Sequence, residues 1–338
     1  MHKVVWQRGS SVSVICDVYV TYVKTHYPGR QCIVVFDGYN NSENSTKTAE
    51  QERRYILKKS VDIHLNRDTE ITVNQEQFLS NQNNKDRLIN MLKSDLQKNG
   101  ITTQQASDDA DVLIVHTAIE QFVQEGTSNV AVIGEDVDLA VLLVAKTSPE
   151  SDILFIKPRR GKVQTNIYST KQMQQLGILE KIMFLHAFSG CDSTSAAFRK
   201  SKLALIKLYK KCPEIRRAAK VFHNCSSSHA DVEEAGRSCM LKWYGAPAKE
   251  RSLNDYRYNS FMKSVTNAKP DLASLPPSKG ATKQHSLRTF HQVQLWLGNQ
   301  LPPEMWGWER KKSQLVPVLT NEPPAPKEIL DLIFLQMY

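Results

Sequence analysis

The 338-residue chain lacks several features that would define its class at once. No apolar run approaches the roughly 18 residues that a membrane-spanning helix needs. The first residues, "MHKVVWQRGSSVSV", have neither the apolar core of a secretory signal nor the Arg and Ser bias of a transit peptide. Six cysteines are scattered without the dense spacing of a secreted disulfide framework. We therefore expect an intracellular globular protein with reduced thiols and no membrane partner, located in the cytosol or the nucleus.

Two kinds of ligand motif are also missing. His223, Cys225, His229 and Cys239 could be arranged around zinc, but no C-x2-C or H-x3-H pair is present, and scattered structural roles are the favoured interpretation. A phosphatase-like hydrolase would need a glycine-rich loop or a similar phosphate cradle, and none is apparent. That hypothesis ranks last among the functions considered.

Acidic residues are the scarcer of the charged types. The chain has 44 Lys plus Arg against 35 Asp plus Glu, which gives a formal charge of +9. An excess of this size favours a polyanionic partner such as nucleic acid, although a well-solvated surface is the plainer explanation. A strongly acidic cluster inside such a chain is therefore informative.

Hydrophobic periodicity predicts an alternation of helices and strands over the first two thirds of the chain. The predicted strands are "QCIVVF", "ITTQQ", "NVAVIG" and "DILFI". The predicted helices cover residues 10–27, 81–99, 109–124 and 171–189. This alternation is typical of an α/β fold with a mostly parallel central sheet flanked by helices.

The composition shifts near residue 211. Helical patterns around 214–244 and 252–265 give way to "KPDLASLPPSKGATK", which predicts a linker, and then to segments rich in Pro and Trp. We expect a first domain over residues 1–211 and a C-terminal region over 212–338. The latter should be helical at first and then form an extended wrap around the body.

Carboxylates stand where the predicted strands end. The stretch "VAVIGEDVDLAVLL" from Val130 to Leu143 places Glu135, Asp136 and Asp138 between two apolar runs. The other carboxylates that follow predicted strands are Asp37, Asp109 and Asp111, and Asp192, which follows a predicted helix, could reach the same edge. In an open parallel sheet the carboxyl ends of the strands lie on one edge, where ligands bind. Carboxylates that converge there repel one another unless divalent cations compensate, and hard oxygen ligands suit Mg²⁺ or Mn²⁺.

Each of these residues also has a plain structural interpretation. Asp109 and Asp136 are acceptable helix N-caps, and Asp37-Gly38 is a common turn dipeptide. The functional interpretation therefore depends on their joint position at the strand ends. Two cations about 3.5 to 4 Å apart could then activate water and stabilise the leaving oxygen in phosphodiester hydrolysis.

With these motifs together, the chain resembles the flap endonuclease and XPG nucleases of the PIN-like group, and especially their asteroid-like and uncharacterised invertebrate relatives. "VVFDGY" with "KTAEQERR" looks like the family's F-D-G strand end and its downstream basic helix. "ASDDADVLI" and "GEDVDLAVLL" are similar to its two acidic motifs. "LHAFSGCDSTSAAFRKSK" resembles the G-x-D segment that leads into a DNA-gripping helix-turn-helix. The resemblance covers about residues 1–211.

The resemblance implies roles for individual residues. It implies a two-metal site and catalytic centre built from carboxylates, with Glu135 in an outer position. The implied metal ligands are Asp37, Asp109, Asp111, Asp136, Asp138 and Asp192, of which Asp37, Asp109, Asp136 and Asp138 are the implied catalytic residues. The implied phosphate contacts are Lys47, Arg53 and Arg54 near the scissile bond and Lys200 and Lys202 on duplex backbone.

The chain departs from the family pattern at two places. No strand with a metal-binding aspartate precedes the first predicted helix, so we expect the sheet to lack the family's first strand. Arg199 and Ser201 stand where the family's helix-turn-helix usually has glycine, which lets backbone approach phosphate closely.

Two functions remain open from the sequence. The first is a structure-selective nuclease that uses Mg²⁺ or Mn²⁺ on DNA or RNA, with branched or single-strand-containing DNA as the expected partner. The alternative is a catalytically inactive PIN-like module that binds nucleic acid or protein.

Overall fold

The computed structural model describes residues 4–28, 31–38, 46, 61–106, 110–124, 130–158, 164–175, 177–178, 181–265, 272–311, 314–320 and 322–323. The chain divides into two compact units, Met1–His116 and Thr117–Tyr338. Its architecture is α/β, with helices and short strands in alternation. No helix in these ranges is long and apolar enough to cross a membrane. The predicted boundary between 211 and 212 stays a prediction.

Within its described ranges the first unit contains helices and a two-stranded parallel sheet. The helices whose bounds are described are α1 (Val12–His26), α2 (Gln75–Ser80) and α3 (Gln82–Lys98). The strands are β1 (Ile33–Phe36) and β2 (Thr102–Gln105), paired in parallel with Phe36 opposite Gln105. A further helix, α4 (Ala110–Gln124), contains the division between the units.

The long helices of the first unit form where the sequence predicts them. Ser11 caps α1 by accepting from the Val14 amide, and Asn81 caps α3 in the same way at the Asn84 amide. The two helices pack on each other through an apolar core. Gly100, with a φ of 75°, follows α3 and allows the turn into β2.

The second unit is larger and mainly helical. Its strands are β3 (Ala131–Ile133), β4 (Leu154–Lys157), β5 (Asn166–Ser169), β6 (Trp308–Lys311) and β7 (Gln314–Pro317). Its helices are α5 (Val137–Lys146), α6 (Thr170–Gln174), α7 (Ile182–Phe188), α8 (Lys202–Lys211), α9 (Pro213–His223), α10 (His229–Tyr244), α11 (Leu253–Val265) and α12 (Lys279–Leu297). Short 3-10 turns occur at Leu272–Ser274 and Pro303–Met305.

An aromatic cluster forms the centre of the second unit. Phe184 and Phe188 on α7 pack against Phe222 on α9, with ring centroids 4.7 and 5.9 Å apart. Trp243 on α10 and Phe290 on α12 complete the cluster. The three phenylalanines of α7 and α9 are fully buried, so helices from both sides of residue 211 share one core.

The pairing of the described strands does not by itself show a mostly parallel central sheet, which stays a prediction. Among the described residues they lie in three sheets: β1-β2, the order β3-β4-β5, and the hairpin β6-β7. β3 and β4 are parallel, whereas β5 runs antiparallel to β4. The described strands have only three or four residues each, which is shorter than the most common length of about five to six residues.

The predicted helix over 171–189 and the predicted linker over 269–283 both need correction. The helix predicted over 171–189 is two helices, α6 and α7, and Gly177 between them has a φ of 69° that a continuing helix does not allow. The linker predicted from residue 269 to 283 ends inside α12, a 19-residue helix that the sequence pattern did not indicate. The extended C-terminal wrap is in part the hairpin β6-β7.

Candidate functional site

The acidic stretch of the second unit lies at the junction of β3 and α5. Asp136 is the N-cap of α5, and its Oδ1 accepts from the Asp138 amide at 3.0 Å. Asp138 stands in the first turn, where a carboxylate is favoured by the positive end of the helix dipole. Glu135 and Asp136 are exposed, and Asp138 is partly buried. The strand and helix therefore present two carboxylates together at one helix N-terminus.

Two side chains in series, His186 and Lys202, support Asp138. His186, a buried residue on α7, has its Nε2 2.6 Å from Asp138 Oδ1. On the other side of the ring, Lys202 Nζ lies 3.0 Å from His186 Nδ1. Because an ammonium group can only donate, Nδ1 is the acceptor, and the proton of the neutral ring is on Nε2, facing Asp138. The tautomer of His186 is thus set by Lys202.

The Lys202 ammonium lies in a partly buried position. It also donates to the carbonyl oxygen of Gly190. Burial lowers the pKa of Lys202, while the negative charges of Asp138 and Asp136 raise it. This side chain, predicted to hold duplex backbone, makes these contacts within the protein, and its role toward nucleic acid stays a prediction.

Asp192 lies on the tight loop that follows α7. Gly190 has a φ of 106°, and a Cβ there would lie 2.7 Å from the Ala196 Cα, so the turn requires glycine. Thr194 Oγ1 donates to the carbonyl of Ala187 at 2.6 Å and accepts from the Cys191 amide at 2.9 Å. Burial raises the pKa of the Cys191 thiol, which favours its neutral form. The loop is therefore ordered by its own hydrogen bonds.

A basic segment begins where this loop ends. Nine of the 22 residues from Arg199 to Lys220 are Lys or Arg, and Glu214 is the one acidic residue among them. Glu214 lies 3.5 Å from Lys242 of α10. The basic side chains that are exposed are Arg199, Lys207, Lys210, Lys211, Arg217 and Lys220. Most of the chain's excess positive charge is thus concentrated on α8, α9 and the turn before them.

Arg199 and Ser201 stand in the turn where the family resemblance implies glycine, and Lys200 lies between them. Arg199 has a φ of 54°, a left-handed conformation that glycine adopts at lower cost. Its guanidinium lies 4.9 Å from the ring centroid of Phe198, and Lys200 Nζ lies 4.5 Å from that of Tyr244. The turn keeps the conformation expected of glycine but presents a bulky cation.

The remaining predicted carboxylates belong to the first unit or lie outside the described residues. Asp37 directly follows β1, and its Oδ2 is 3.7 Å from Lys85 Nζ. The amide of Ala106 donates to the Phe36 carbonyl, so β1 and β2 lead out at the same edge. Asp111 lies in the first turn of α4. The predicted residues outside the described part are Lys47, Arg53, Arg54 and Asp109.

The residues present meet the needs of a divalent cation only in part. Carboxylate oxygens such as those of Asp136 and Asp138 are the ligands that Mg²⁺ and Mn²⁺ prefer. However, no group of three or more His, Cys, Asp or Glu side chains within the described ranges could hold a metal ion. This finding also applies to the zinc alternative at residues 223–239, all of which are described. The described carboxylates therefore do not by themselves form a complete metal site.

The sequence did not indicate the partners of Asp138. His186 has no distinctive spacing from the acidic motif, from which it is 48 residues away. Lys202 is predicted only to hold duplex backbone, which gives no indication of its contact with His186. Lys85, which faces Asp37, lies on a predicted amphipathic helix and has no predicted role. Only the folded chain shows these contacts.

No protein-family model matches this chain, and no curated protein matches its sequence.

Proposed function

We propose that this protein is a divalent-cation-dependent nuclease of the PIN-like, flap endonuclease type that acts in the nucleus on branched or single-strand-containing DNA. The observation that carries the proposal is the acidic pair of Asp136 and Asp138, supported by His186 and Lys202, beside a loop that leads into a strongly basic pair of helices. Metal-dependent phosphodiester hydrolysis uses carboxylates to bind the metal ions, and exposed Lys and Arg side chains attract the phosphates.

The described residues would divide the work as follows. Asp138 keeps a fixed orientation because the Nε2–H group of His186 donates to its Oδ1. Asp136 is held by its hydrogen bond to the Asp138 amide. The exposed cations of α8 and α9 attract the phosphate backbone without reading sequence. Bound Mg²⁺ or Mn²⁺ would supply activation of water and stabilisation of the leaving oxygen.

The decisive experiment measures cleavage of a flapped DNA in Mn²⁺ by the wild type and by the double variant Asp136→Asn with Asp138→Asn. Asparagine is also a good N-cap and still accepts from His186, so the fold should persist. We expect cleavage to fall at least about a hundredfold, as is usual when ligands of a coupled site are lost. Undiminished cleavage in the double variant would refute the site.

A matched control is available on α10. Asp231 is also a carboxylate in the first turn of a helix, and it forms a capping box with Ser228. Asp231→Asn should lower stability slightly and leave cleavage unchanged. A loss of cleavage in this control equal to that of the double variant would show that the assay follows stability instead of chemistry.

The second candidate is a nucleic-acid-binding module without catalysis. It is favoured by two contacts: Asp136 acts as a helix cap, and Asp138 Oδ1 is occupied by His186. Asp136 and Asp138 therefore each have a structural role that needs no bound cation. Under this hypothesis the wild type binds DNA but does not cut it in Mg²⁺ or Mn²⁺.

Binding can be tested independently of cleavage through the exposed face of α8. We expect Lys207→Glu with Lys211→Glu to weaken DNA binding and to reduce the salt dependence of the affinity by about one to two units of slope. Binding without cleavage in the wild type supports the module, whereas cleavage supports the nuclease. A wild type that neither binds nor cleaves DNA would contradict both functions.

A further inference from the structure

Three polar residues on one face of α12 contact the loop that carries Asp192. They are spaced three and four residues apart, which places them on one side of a helix. His285 Nε2 lies 3.0 Å from the Phe188 carbonyl oxygen, and Ser193 Oγ donates to Gln292 Oε1 at 2.5 Å. Between them, Arg288 Nη2 lies 3.5 Å from Ser195 Oγ. The loop is therefore contacted at its start, middle and end.

These contacts are buried, and that makes them costly to lose. The exposed fractions of His285, Arg288 and Gln292 are 6%, 5% and 7%. A buried polar group without a partner is expensive, so each side chain strongly prefers the arrangement in which its partner is present. Arg288 also donates to the carbonyl of Val318 at 2.6 Å, which fixes its direction from the other side.

The opposite face of α12 packs against α9. Gln294 is fully buried, and its Nε2 donates to the Phe222 carbonyl on α9 at 2.9 Å. Gln294 follows His285 by nine residues, about two and a half helical turns, so the two side chains lie on opposite sides of α12. One face of α12 thus packs the helical core, and the other meets the loop after α7.

We infer that the His285, Arg288 and Gln292 face of α12 holds the loop from Phe188 to Ser195 in one conformation and so positions Asp192. Residues beyond 211 are then a positioning part of the site, in addition to their share of the core. The role of Asp192 rests on the proposed function, whereas the restraint on the loop does not. The three α12 side chains are positioning residues and need not contact DNA or cation.

The test uses the full chain and the bond between Ser193 and Gln292. Gln292→Met removes the acceptor at nearly constant shape, Gln292→Glu keeps an acceptor oxygen, and Gln294→Met is the control on the opposite face. Hydrogen exchange of the Cys191 and Thr194 amides reports opening of the loop. We expect Gln292→Met to accelerate this exchange about fivefold, Gln292→Glu to restore it, and Gln294→Met to leave it unchanged.

The second measurement is the Mn²⁺ concentration that gives half-maximal cleavage of flapped DNA. We expect it to rise in Gln292→Met while the rate at saturating Mn²⁺ is retained, and to be unchanged in Gln294→Met. Equal exchange in wild type and Gln292→Met, or equal acceleration in both methionine variants, would overturn the restraint. Faster exchange with an unchanged Mn²⁺ dependence would overturn the positioning of Asp192.

The two proposals can fail separately. If the wild type does not cleave DNA, the nuclease function fails, but the exchange of the loop amides still decides whether α12 restrains the loop. If the wild type cleaves and the loop does not open in Gln292→Met, the nuclease remains and the restraint fails.

Discussion

His285 makes the stability of the second unit depend on pH in a direction that can be calculated. Its ring is buried, and its Nε2–H donates to the Phe188 carbonyl at 3.0 Å. Burial first, and the charge of Arg288 second, lower its pKa from 6.5 to about 4. In the folded protein the ring is therefore neutral at all pH values above this range.

The sign follows from the protons bound in each state. Between about pH 6.5 and about pH 4 the unfolded chain binds a proton at His285 and the folded chain does not. The free energy of unfolding therefore falls as the pH is lowered through this window and is unaffected by this residue above it. The difference of about 2.5 between the two pKa values corresponds to about 3 kcal/mol.

The assay is urea unfolding of the wild type and of His285→Gln between about pH 7.5 and about pH 4. Glutamine can donate to the Phe188 carbonyl but does not titrate. We expect the wild type to lose about 3 kcal/mol more than the variant across this range. Burial also lowers the pKa of His291, but this residue is present in both proteins and its contribution cancels.

Parallel pH profiles for the two proteins would refute the reasoning. That result would mean that the ring is solvated or already charged in the folded state. A steeper profile for the variant would refute it as well, because glutamine has no proton to gain in this range.

Two further predictions concern the backbone and the thiols. Gly190→Ala should lower the free energy of unfolding by about 2 to 4 kcal/mol, since it combines a left-handed φ with overlap against a neighbouring turn. Gly245 has a φ of 83° and open space around it, so Gly245→Ala should lower the free energy of unfolding by only about 1 kcal/mol. Equal losses of unfolding free energy in the two variants, measured by denaturant unfolding, would contradict this. In native protein a thiol reagent should modify exposed Cys225 first, because burial raises the pKa of Cys16 and Cys239. Mass spectrometry that finds Cys239 modified before Cys225 would show that α10 is not packed as described.

The sequence predicts elements well where one face is apolar and the caps are clear. α1 and α3 have this pattern, and their ends agree with the prediction within two residues at each terminus. α12 could not be found in this way because buried polar residues occur around its circumference and remove the apolar stripe. The local features that mark the ends of α12 are Ser278 as N-cap and Gly298 after its last turn. Ser278 lies in the predicted linker and Gly298 in the predicted extended segment, so neither indicates a helix there.

In the candidate site too, the positions of the carboxylates are predictable from the sequence and their tertiary contacts are not. The placement of Asp136 and Asp138 at the start of α5, just after β3, follows from local sequence, because an apolar strand, an N-cap and an apolar helix succeed one another. The contact with His186 depends on how α5 packs on α7, and the contact with Lys202 on the turn after residue 190. Local patterns contain no information on such pairings, which arise from tertiary packing.

The contact between α12 and the loop has a consequence for the order in which the protein matures. Phe188 and His285 are 97 residues apart, and Ser193 and Gln292 are 99 apart. A chain emerging from the ribosome therefore completes Asp136, Asp138 and Asp192 long before it makes the residues that restrain the Asp192 loop. The loop can be fixed only after synthesis has passed residue 292, so a chain interrupted near residue 211 would carry all three carboxylates without this restraint.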